Sequence, residues 1–453
     1  MLTIKGIKAD RISIFLHLLL FLIVASSVLT YWQVTQYALN GNWHPEYYKL
    51  QSYISIVPTP VRLLKDEFSF LLLIASFFFR PTNPDRELRK NNLLAISYML
   101  WLCLLGIAIA RSIASDLNIS LIFFSLRPII IVISLFVFCH RHLNPFYLRW
   151  VLEGVNILAI VQIIYAFLQR SMAVTLNGVG WFSSGYVRSV GTFTEPNSMG
   201  LFLALCFYCN LSLLPWHRWR YFIVGLLVIT IYLTDSRTAL LIIGLIVAEK
   251  LYHKLSRSYK ILKDSLVIKV IGFPLFLLTT FFLLEQINQV SVRAVNSSIS
   301  GGRLEIFINY INQTEPLSLL FGRYISFGSN ILQTLQKNTA IVGGGGGDFF
   351  LADSTWAALL SQFGILGVYL AIQVIYCIWK TPFSGSYFMP SKFFDISHKF
   401  VFLMYLLLCS FTIILFEYYA VFPIIICLLF ILRTPKPILK SSENKRNNRQ
   451  IPC

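Results

Sequence analysis

The chain has 453 residues, of which 56% are hydrophobic and 13% are charged, and its formal net charge is +18. Soluble domains carry about 25% charged residues, so this composition excludes a soluble globular protein. Apolar runs near the length of a bilayer span recur from end to end, which predicts an all-α polytopic membrane protein in a lipid bilayer. Nucleic acid is not an expected partner, because the basic residues collect in the loops and tails between the apolar runs.

The first apolar run, 12–30, follows a basic segment and lacks a convincing small-residue cleavage site, so we expect a retained helix rather than a signal peptide. The hydropathy pattern predicts about twelve transmembrane helices, at 12–32, 63–79, 93–110, 120–139, 150–169, 198–214, 221–234, 237–249, 268–285, 355–378, 399–416 and 418–432. With 1–11 in the cytoplasm, the inner loops and tails hold most of the 38 Lys and Arg residues. By the positive-inside rule both ends are then cytoplasmic, and 433–453 is a basic tail.

The segment 221–249 is predicted to form two helices instead of one. The basic stretches PWHRWR and KLYHKLSRSYK flank it on either side, and two basic flanks belong on the same side of a membrane. The chain must therefore turn back at TDSRT, 234–238. Each limb reaches only about 20 Å, less than the roughly 30 Å of a bilayer core, so the turn is expected to be buried in protein.

Two outer loops are long. The first, 170–197, lies within the first nine helices (12–285). The second, 286–354, is predicted to form an extramembrane subdomain before the last three helices (355–432). Within it, RLEIFINYINQ has apolar residues at helical spacing, which indicates a helix lying on the membrane or on the bundle. The run GGGGG further on is typical of a hinge or a mobile loop.

Charged residues of the outer side cluster at the ends of helices. Four arginines are candidates for binding an anionic headgroup: Arg127, Arg188, Arg237 and Arg303. Arginine suits this task because its planar fork binds phosphate oxygens through two hydrogen bonds. Arg127 lies inside the fourth predicted span, where a charge needs a partner or a wet cavity. Asp66 or Glu67 could supply that partner, in which case the role of Arg127 is structural.

The other three arginines also have structural interpretations. Arg188 could be a solvated charge of the first outer loop. Arg237 could pair with Asp235 or extend towards lipid headgroups, although its place at a buried turn favours function. Arg303 follows two glycines and could be an exposed surface residue.

Glu195 and Asp353 are candidates for a general base. In EPNSMG, Pro196 fixes the helix entry, Asn197 or Ser198 is expected to cap the helix, and the Glu195 carboxylate favours the helix dipole. Asp353 could likewise cap the helix that begins at STWAALL. Capping and catalysis are compatible, because a carboxylate held at a helix start is well placed to accept a proton.

No metal or other cofactor is expected. The sequence has no compact aspartate pair or histidine cluster that suggests a divalent cation site. Cys206 and Cys209 form a CxxC pattern, but it lies inside an apolar helix with no second ligand pair, so membrane packing explains it better than metal or redox chemistry.

Four motifs between about 185 and 370 resemble, in order, those of the O-antigen polymerase and O-antigen ligase superfamily of bacterial envelope proteins: VRSVGTFTEPNSMG, LTDSRTALL, SGGRLEIF and ADSTWAALLSQFGILGVYL. The resemblance implies a bundle like that of C-type glycosyltransferases, in the bacterial inner membrane. It implies a donor and an acceptor that are glycans linked to undecaprenyl diphosphate, with the active site on the periplasmic face. A flippase and a chain-length regulator would be candidate partner proteins.

Ligases of this family typically carry a histidine near the end of the large outer loop, where this chain has Asp353 and no histidine between His253 and His398. The resemblance therefore favours a metal-independent polymerase whose arginines carry the diphosphate charge. The alternatives are an O-antigen ligase, which transfers finished polymer to a lipid A core or another acceptor, and a transporter or flippase of lipid-linked glycans. Transporters usually place polar groups near the midplane, often in repeated halves, whereas this chain gathers its charges at one face.

Overall fold

The computed structural model describes residues 2–39, 57–81, 91–115, 119–171, 182–183, 186–193, 195–214, 218–258, 308, 310–312, 314–325, 327, 354–380 and 396–432. The first part forms α1 (Leu2–Leu29), α2 (Trp32–Leu39), α3 (Thr59–Phe78), α4 (Asn92–Ala114), α5 (Ile119–Arg141) and α6 (Pro145–Ser171). An antiparallel pair, β1 (Phe182–Ser183) and β2 (Tyr186–Val187), precedes α7 (Pro196–Tyr208), a π-helical turn (Cys209–Leu213), α8 (Arg218–Thr234) and α9 (Arg237–Ser258). The last part forms α10 (Pro316–Phe321), α11 (Thr355–Lys380), α12 (Ile396–Thr412), a 3-10 turn (Leu415–Glu417) and α13 (Phe422–Ile431).

The described helices form a bundle suited to a bilayer. Five of them are long and apolar enough to cross a membrane, namely α4, α6, α11 and the greater part of α1 and α5. Large apolar side chains face outwards, with exposed fractions of 81% at Phe78 and 70% at Ile119. Lipid accommodates such a surface, whereas water does not. The chain is therefore a helical membrane protein, as the composition predicts.

Helices occupy the positions that the hydropathy pattern predicts. The exception is the predicted helix 268–285, which lies outside the described residues together with most of the predicted subdomain 286–354. Within that subdomain, residues 310–312 are helical, inside the range expected to form a surface helix.

The boundary between the last two helices was predicted wrongly. The helices expected at 399–416 and 418–432 lie further apart than predicted, because α12 ends at Thr412 and α13 begins at Phe422. A proline in the first turn fixes the start of α13. We call residues 413–421 the connecting segment; its sequence, ILFEYYAV after Ile413, brings polar groups to the end of the bundle.

Two helices form the centre of the core. In α7 every side chain from Ser198 to Tyr208 is buried, and in α13 every residue is buried. Helices that are apolar on all sides must be surrounded by protein, and α7 packs against α8 and α9 while α13 packs against α5 and α11. The start of α7 therefore presents Glu195 at the middle of one end of the bundle.

The predicted turn is confirmed, but the helices beside it are longer than predicted, with 17 residues in α8 and 22 in α9, which ends at Ser258 and not at 249. The turn consists of Asp235 and Ser236, between α8 and α9, and Thr234 and Ser236 are fully buried. Asp235 has φ of 50°, a left-handed conformation that aspartate tolerates better than most residues. At Gly200 an added Cβ would lie 2.7 Å from Cβ of Ser236, so a glycine in α7 lets the turn approach the central helix.

The two ends of the bundle differ in character. Tyr31, Arg62, Arg127, Glu195 and Asp235 lie at one end, which we call the Glu195 end. At the opposite end, arginines bind backbone carbonyls near a helix terminus or pair with a carboxylate. There the Arg141 guanidinium donates to the carbonyls of Phe77 and Phe79, at 2.9 and 3.0 Å, and Arg220 pairs with Glu153.

Two glycines lock the short helix α10 onto α11. Gly322 and Gly364 have φ of 83° and 68°, values that favour glycine. An added Cβ would lie 2.1 Å from the Gln362 carbonyl oxygen in the first case and 2.2 Å from the Leu320 carbonyl oxygen in the second. Each glycine thus allows the backbone of one element to touch the other, and Gly364 also kinks α11.

We expect Gly364→Ala to lower the melting temperature of the purified protein by several degrees and to loosen α10. The left-handed conformation alone costs an alanine roughly 1–2 kcal/mol, and the backbone clash adds to that cost. Gly106→Ala is the matched control: it lies in α4 with no atom within 4 Å of its added Cβ, so its melting temperature should stay equal or rise. Equal melting temperatures for the two variants would contradict the tight contact.

Candidate active site

A cluster of charges joins α3, α5 and the connecting segment at the Glu195 end. Arg127 of α5 forms an ion pair with Asp66 of α3, and these side chains are 27% and 16% exposed. The Lys65 ammonium lies over the Tyr419 ring, 4.8 Å from its centroid. The charges of Asp66, Arg127 and Glu417 all act on Lys65. The cations Lys65 and Arg127 and the carboxylates Asp66 and Glu417 therefore share one partly buried region.

Some polar atoms of this cluster meet no hydrogen-bond partner among the described residues. They are Nε of Arg62, Nε of Arg127 and Oδ1 of Asp66, all buried. Arg62 uses Nη2 to donate to Oγ1 of Thr59, at 3.0 Å. A buried donor without an acceptor costs about 1–3 kcal/mol, so these two guanidinium N–H groups can donate to an anionic ligand, although Arg141 and Arg220 at the opposite end carry such a group as well.

Glu195 stands at the start of α7 as its N-cap residue, with Pro196 following in the first turn. The prediction that Asn197 or Ser198 caps this helix is wrong, because both belong to the helix itself. The Glu195 backbone carbonyl accepts from Met199 N at 3.2 Å, whereas its side chain makes no capping hydrogen bond. The start of α7 therefore places a half-buried carboxylate at the Glu195 end.

Two tyrosines flank the Glu195 carboxylate. Burial raises the pKa of Tyr31, the Arg62 guanidinium lowers it, and Glu195 raises it again. Burial also raises the pKa of Tyr418 well above its usual range, and the Glu195 charge adds to the rise. Both phenols therefore stay protonated at neutral pH, so that hydroxyl donors stand near a carboxylate acceptor.

Arg188 lies at the Glu195 end and is buried, with 7% of the residue exposed. Its Nε donates to the Thr234 carbonyl at 2.9 Å, and its Nη2 donates to the Asp235 carbonyl at 2.9 Å and to Oδ1 of Asn197 at 3.4 Å. The Asp235 carboxylate lies 3.9 Å from Nε. Arg188 thus satisfies the last carbonyls of α8 and ties the turn to the first turn of α7.

Two glutamines of α6 hold the segment 188–193 inside the bundle. Gln169 Oε1 accepts from the backbone N–H groups of Val190 and Gly191, at 3.0 and 2.9 Å, and its Nε2 donates to the Gly191 carbonyl at 2.9 Å. Gln162 Oε1 accepts from the backbone N–H of Thr192, and its Nε2 donates to Oγ1 of the same residue, at 2.8 Å each. The two glutamines are seven residues apart and so share one helix face. Buried non-helical backbone needs such partners in a membrane protein.

We expect Gln169→Leu to destabilise the protein and to displace Arg188 and Glu195. The change leaves the backbone N–H groups of Val190 and Gly191 buried without their acceptor, at about 1–3 kcal/mol each, whereas the Gly191 carbonyl still accepts from Thr35 Oγ1 at 3.0 Å. The check is a fall in melting temperature together with lower activity. Gln36→Leu is the matched control, because Gln36 donates one part-buried hydrogen bond, to Tyr165 at the same end. Similar losses in both variants would show that the loop does not depend on Gln169.

The start of α11 is fastened to the connecting segment. Thr355 Oγ1 donates to the Ile413 carbonyl at 2.8 Å and accepts from Leu415 N at 2.9 Å. Trp356 Nε1 donates to Oγ of Ser410 at 2.7 Å. The ADSTW motif therefore holds the segment that carries Glu417, although Asp353 itself lies outside the described residues.

The structure brings some of the predicted site residues together. Arg127, Arg188 and Glu195 lie at the same end of the bundle: Arg127 acts on Tyr419, Glu195 acts on the adjacent Tyr418, and Arg188 lies against Asp235. Arg237, the first residue of α9, is exposed at that end. Arg303 lies outside the described residues, as Asp353 does.

Sequence reasoning missed Arg62, Lys65 and Glu417, with the tyrosines around them. The signal was present in RLLKDEF, which carries charges at the outer part of a predicted span, and in FEYYA, which interrupts an apolar region. Among the described residues, no group of three or more His, Cys, Asp or Glu side chains is placed to hold a metal ion.

Comparison of the chain with protein-family models, with curated proteins and with solved structures finds no match. The functional assignment below therefore depends on the membrane bundle, the charge cluster at its Glu195 end and the motif resemblance.

Proposed function

We propose that the chain is a membrane glycosyltransferase that joins oligosaccharide repeat units carried on undecaprenyl diphosphate into a surface polysaccharide. In this proposal the chain crosses the bacterial inner membrane twelve times, both termini are cytoplasmic and the Glu195 end faces the periplasm. An apolar bundle that concentrates charge at one end suits a substrate with a lipid tail and an anionic, sugar-bearing head.

The observation that carries the proposal is the concentration of Arg62, Lys65 and Arg127 at the Glu195 end, where Nε of both arginines is buried and meets no acceptor among the described residues. A diphosphate supplies several anionic oxygens, and hydrogen bonds between ionised partners are about twice as strong as neutral ones. Cations held in place before the reaction also stabilise the charge that develops on a leaving diphosphate. The cluster thus has the chemistry needed for a diphosphate leaving group.

Glu195 has the position of a general base in this scheme. A hydroxyl oxygen of the acceptor sugar attacks the anomeric carbon of the donor, the new carbon–oxygen bond forms, and the bond from that carbon to the diphosphate oxygen breaks. The hydroxyl proton passes to the Glu195 carboxylate, and the lipid diphosphate leaves with the electron pair. The Tyr418 hydroxyl, near Glu195, can orient a sugar oxygen.

The remaining candidates have less direct support. The bonds of Arg188 to backbone carbonyls favour a positioning role for it, with diphosphate contact still a prediction. Arg237 is exposed at the site and can reach a substrate from the next helix. Arg303 and Asp353 keep their predicted roles in diphosphate binding and proton transfer.

Analysis of carrier lipids in a strain lacking this chain tests the proposal. We expect single repeat units to accumulate on undecaprenyl diphosphate, because export continues while polymerisation stops. Long polymers accumulating on the carrier would indicate a ligase instead, and loss of repeat units from the periplasmic leaflet would indicate a flippase. A strain carrying the chain with Glu315→Gln, a distant surface change, should match the wild type.

Polymerisation by the purified protein is expected to continue in excess chelator, because Arg62, Lys65 and Arg127 carry the diphosphate charge. The measurement compares initial rates with and without chelator on the same lipid-linked substrate. Loss of activity that magnesium or manganese restores would show that a metal ion does the work assigned to the three cations.

A further inference from the structure

A second basic site lies away from the proposed active site, at the contact between α4 and α10. Here a cavity of about 380 Å³ is lined by Arg111, Ala114, Ser115, Ser318, Arg323 and Tyr324. The first three belong to the end of α4 and its C-cap, and the others belong to α10 or the residues just after it. The end of α4 and α10 are held against each other, so the backbone on both sides of the cavity has a fixed position.

Several bonds hold the two arginines in place. Arg111 Nη2 donates to Oγ of Ser318 at 2.8 Å, and its Nη1 lies 3.4 Å from the Leu317 carbonyl oxygen. The Arg323 guanidinium lies over the Phe327 ring, 4.9 Å from its centroid. Its backbone N–H donates to the Ser361 carbonyl at 2.8 Å. Both arginine charges act on the Tyr310 phenol, which places the two guanidinium groups near one side chain.

The charge of this site calls for an anion. Among the described residues, no carboxylate forms an ion pair with Arg111. Two cations at one cavity repel each other, and a phosphate relieves that repulsion while accepting from both forks. The Tyr324 hydroxyl adds a donor, because burial raises the pKa of Tyr324 and its phenol stays protonated, whereas the Ser115 hydroxyl already donates to the Arg111 carbonyl at 2.8 Å.

The surface below the cavity is apolar and faces outwards. On α4 the exposed fractions are 56% at Leu102, 38% at Ile107 and 60% at Ile113. Most residues in the apolar part of this helix are not buried. Leu317 of α10 is 66% exposed. Acyl or prenyl chains can lie along this surface while their headgroup stays at the level of Arg111, in the last turn of α4.

We propose that this cavity binds the phosphate group of a membrane lipid. The combination of a two-arginine pocket at a helix end and an exposed apolar helix beneath it matches both parts of such a molecule. An anionic phospholipid and a polyprenyl phosphate share this chemistry. The proposal does not depend on glycosyl transfer, since the site is lined by none of the residues assigned to that reaction.

Native mass spectrometry of the full chain, titrated with phosphatidylglycerol, polyprenyl phosphate or diacylglycerol, tests the site. We expect either phosphate-bearing lipid to bind at least tenfold more tightly than diacylglycerol, and the tighter of the two identifies the source. Arg111→Gln combined with Arg323→Gln should weaken that binding about tenfold or more. Arg170→Gln, in the last turn of α6 and outside the cavity, should leave it unchanged.

Ala114→Phe keeps both arginines and fills the cavity, so it should weaken lipid binding even if the double variant is poorly folded. Melting temperatures in lipid-free detergent identify folding defects. Unchanged affinity in Ala114→Phe and in a folded double variant would overturn the proposal, as would equal affinity for diacylglycerol. Inorganic phosphate that stabilises the protein as strongly as the lipids would overturn its assignment to a lipid.

Discussion

Glu195→Gln should lower the rate of polymerisation about a hundredfold or more, with expression and melting temperature nearly unchanged. The amide keeps the shape of the side chain and its place at the start of α7, but it is far less basic than the carboxylate. Loss of the negative charge near the helix dipole costs only a few tenths of a kcal/mol. Turnover of a lipid-linked repeat unit, measured beside the melting curve, separates chemistry from folding.

The chain supplies its own control for this variant. Glu315 is also an N-cap residue followed by a proline, and its side chain likewise makes no capping hydrogen bond. It is exposed and lies outside the charge cluster. Glu315→Gln should therefore retain full activity. Normal polymerisation by Glu195→Gln would show that Glu195 is not the base, and the proton acceptor would then be sought at Asp353.

Arg127→Gln should reduce both activity and stability, because it removes a cation from the diphosphate site and leaves Asp66 without its partner. Removing one member of a fully buried ion pair costs about 3–5 kcal/mol. The side chains of this pair are 27% and 16% exposed, so we expect a smaller loss of about 1–3 kcal/mol. The activity loss should exceed tenfold.

The double variant Asp66→Asn, Arg127→Gln distinguishes the two roles of the arginine. Two amides can hydrogen-bond to each other without a net charge, so stability should recover most of what the single variant loses. Activity should stay low, because no guanidinium is left to contact the diphosphate. Recovery of activity together with stability would mean that Arg127 acts only as the structural partner of Asp66.

The turn at 234–238 could be predicted because its cause lies nearby in the sequence. The two basic flanks belong on the same side of the membrane, so the apolar stretch between them must turn back, although α9 is longer than the limb predicted there. The sequence also indicates Asp66 or Glu67 as the partner of Arg127. An arginine within a span needs a carboxylate at the same depth, and α3 carries two candidates there.

The remainder of the site depends on contacts between distant parts of the chain. Gln162 and Gln169 look like ordinary polar residues of a span, and only the folded loop 188–193 shows what they bind. Arg188 looks like a free outer charge in the sequence, whereas folding places the last carbonyls of α8 around it. Lys65 and Glu417 are far apart along the chain, so their proximity follows from the packing of the connecting segment.

Polymerisation by the purified chain alone tests the central claim most directly. The protein, reconstituted in bilayer nanodiscs, receives one lipid-diphosphate-linked repeat unit as both donor and acceptor, and products are separated by length. We expect a ladder of carrier-linked polymers, with one lipid diphosphate released for each new glycosidic bond, and no ladder from Glu195→Gln. A well-folded wild-type chain that releases no lipid diphosphate and forms no dimer of the repeat unit would contradict the proposed function.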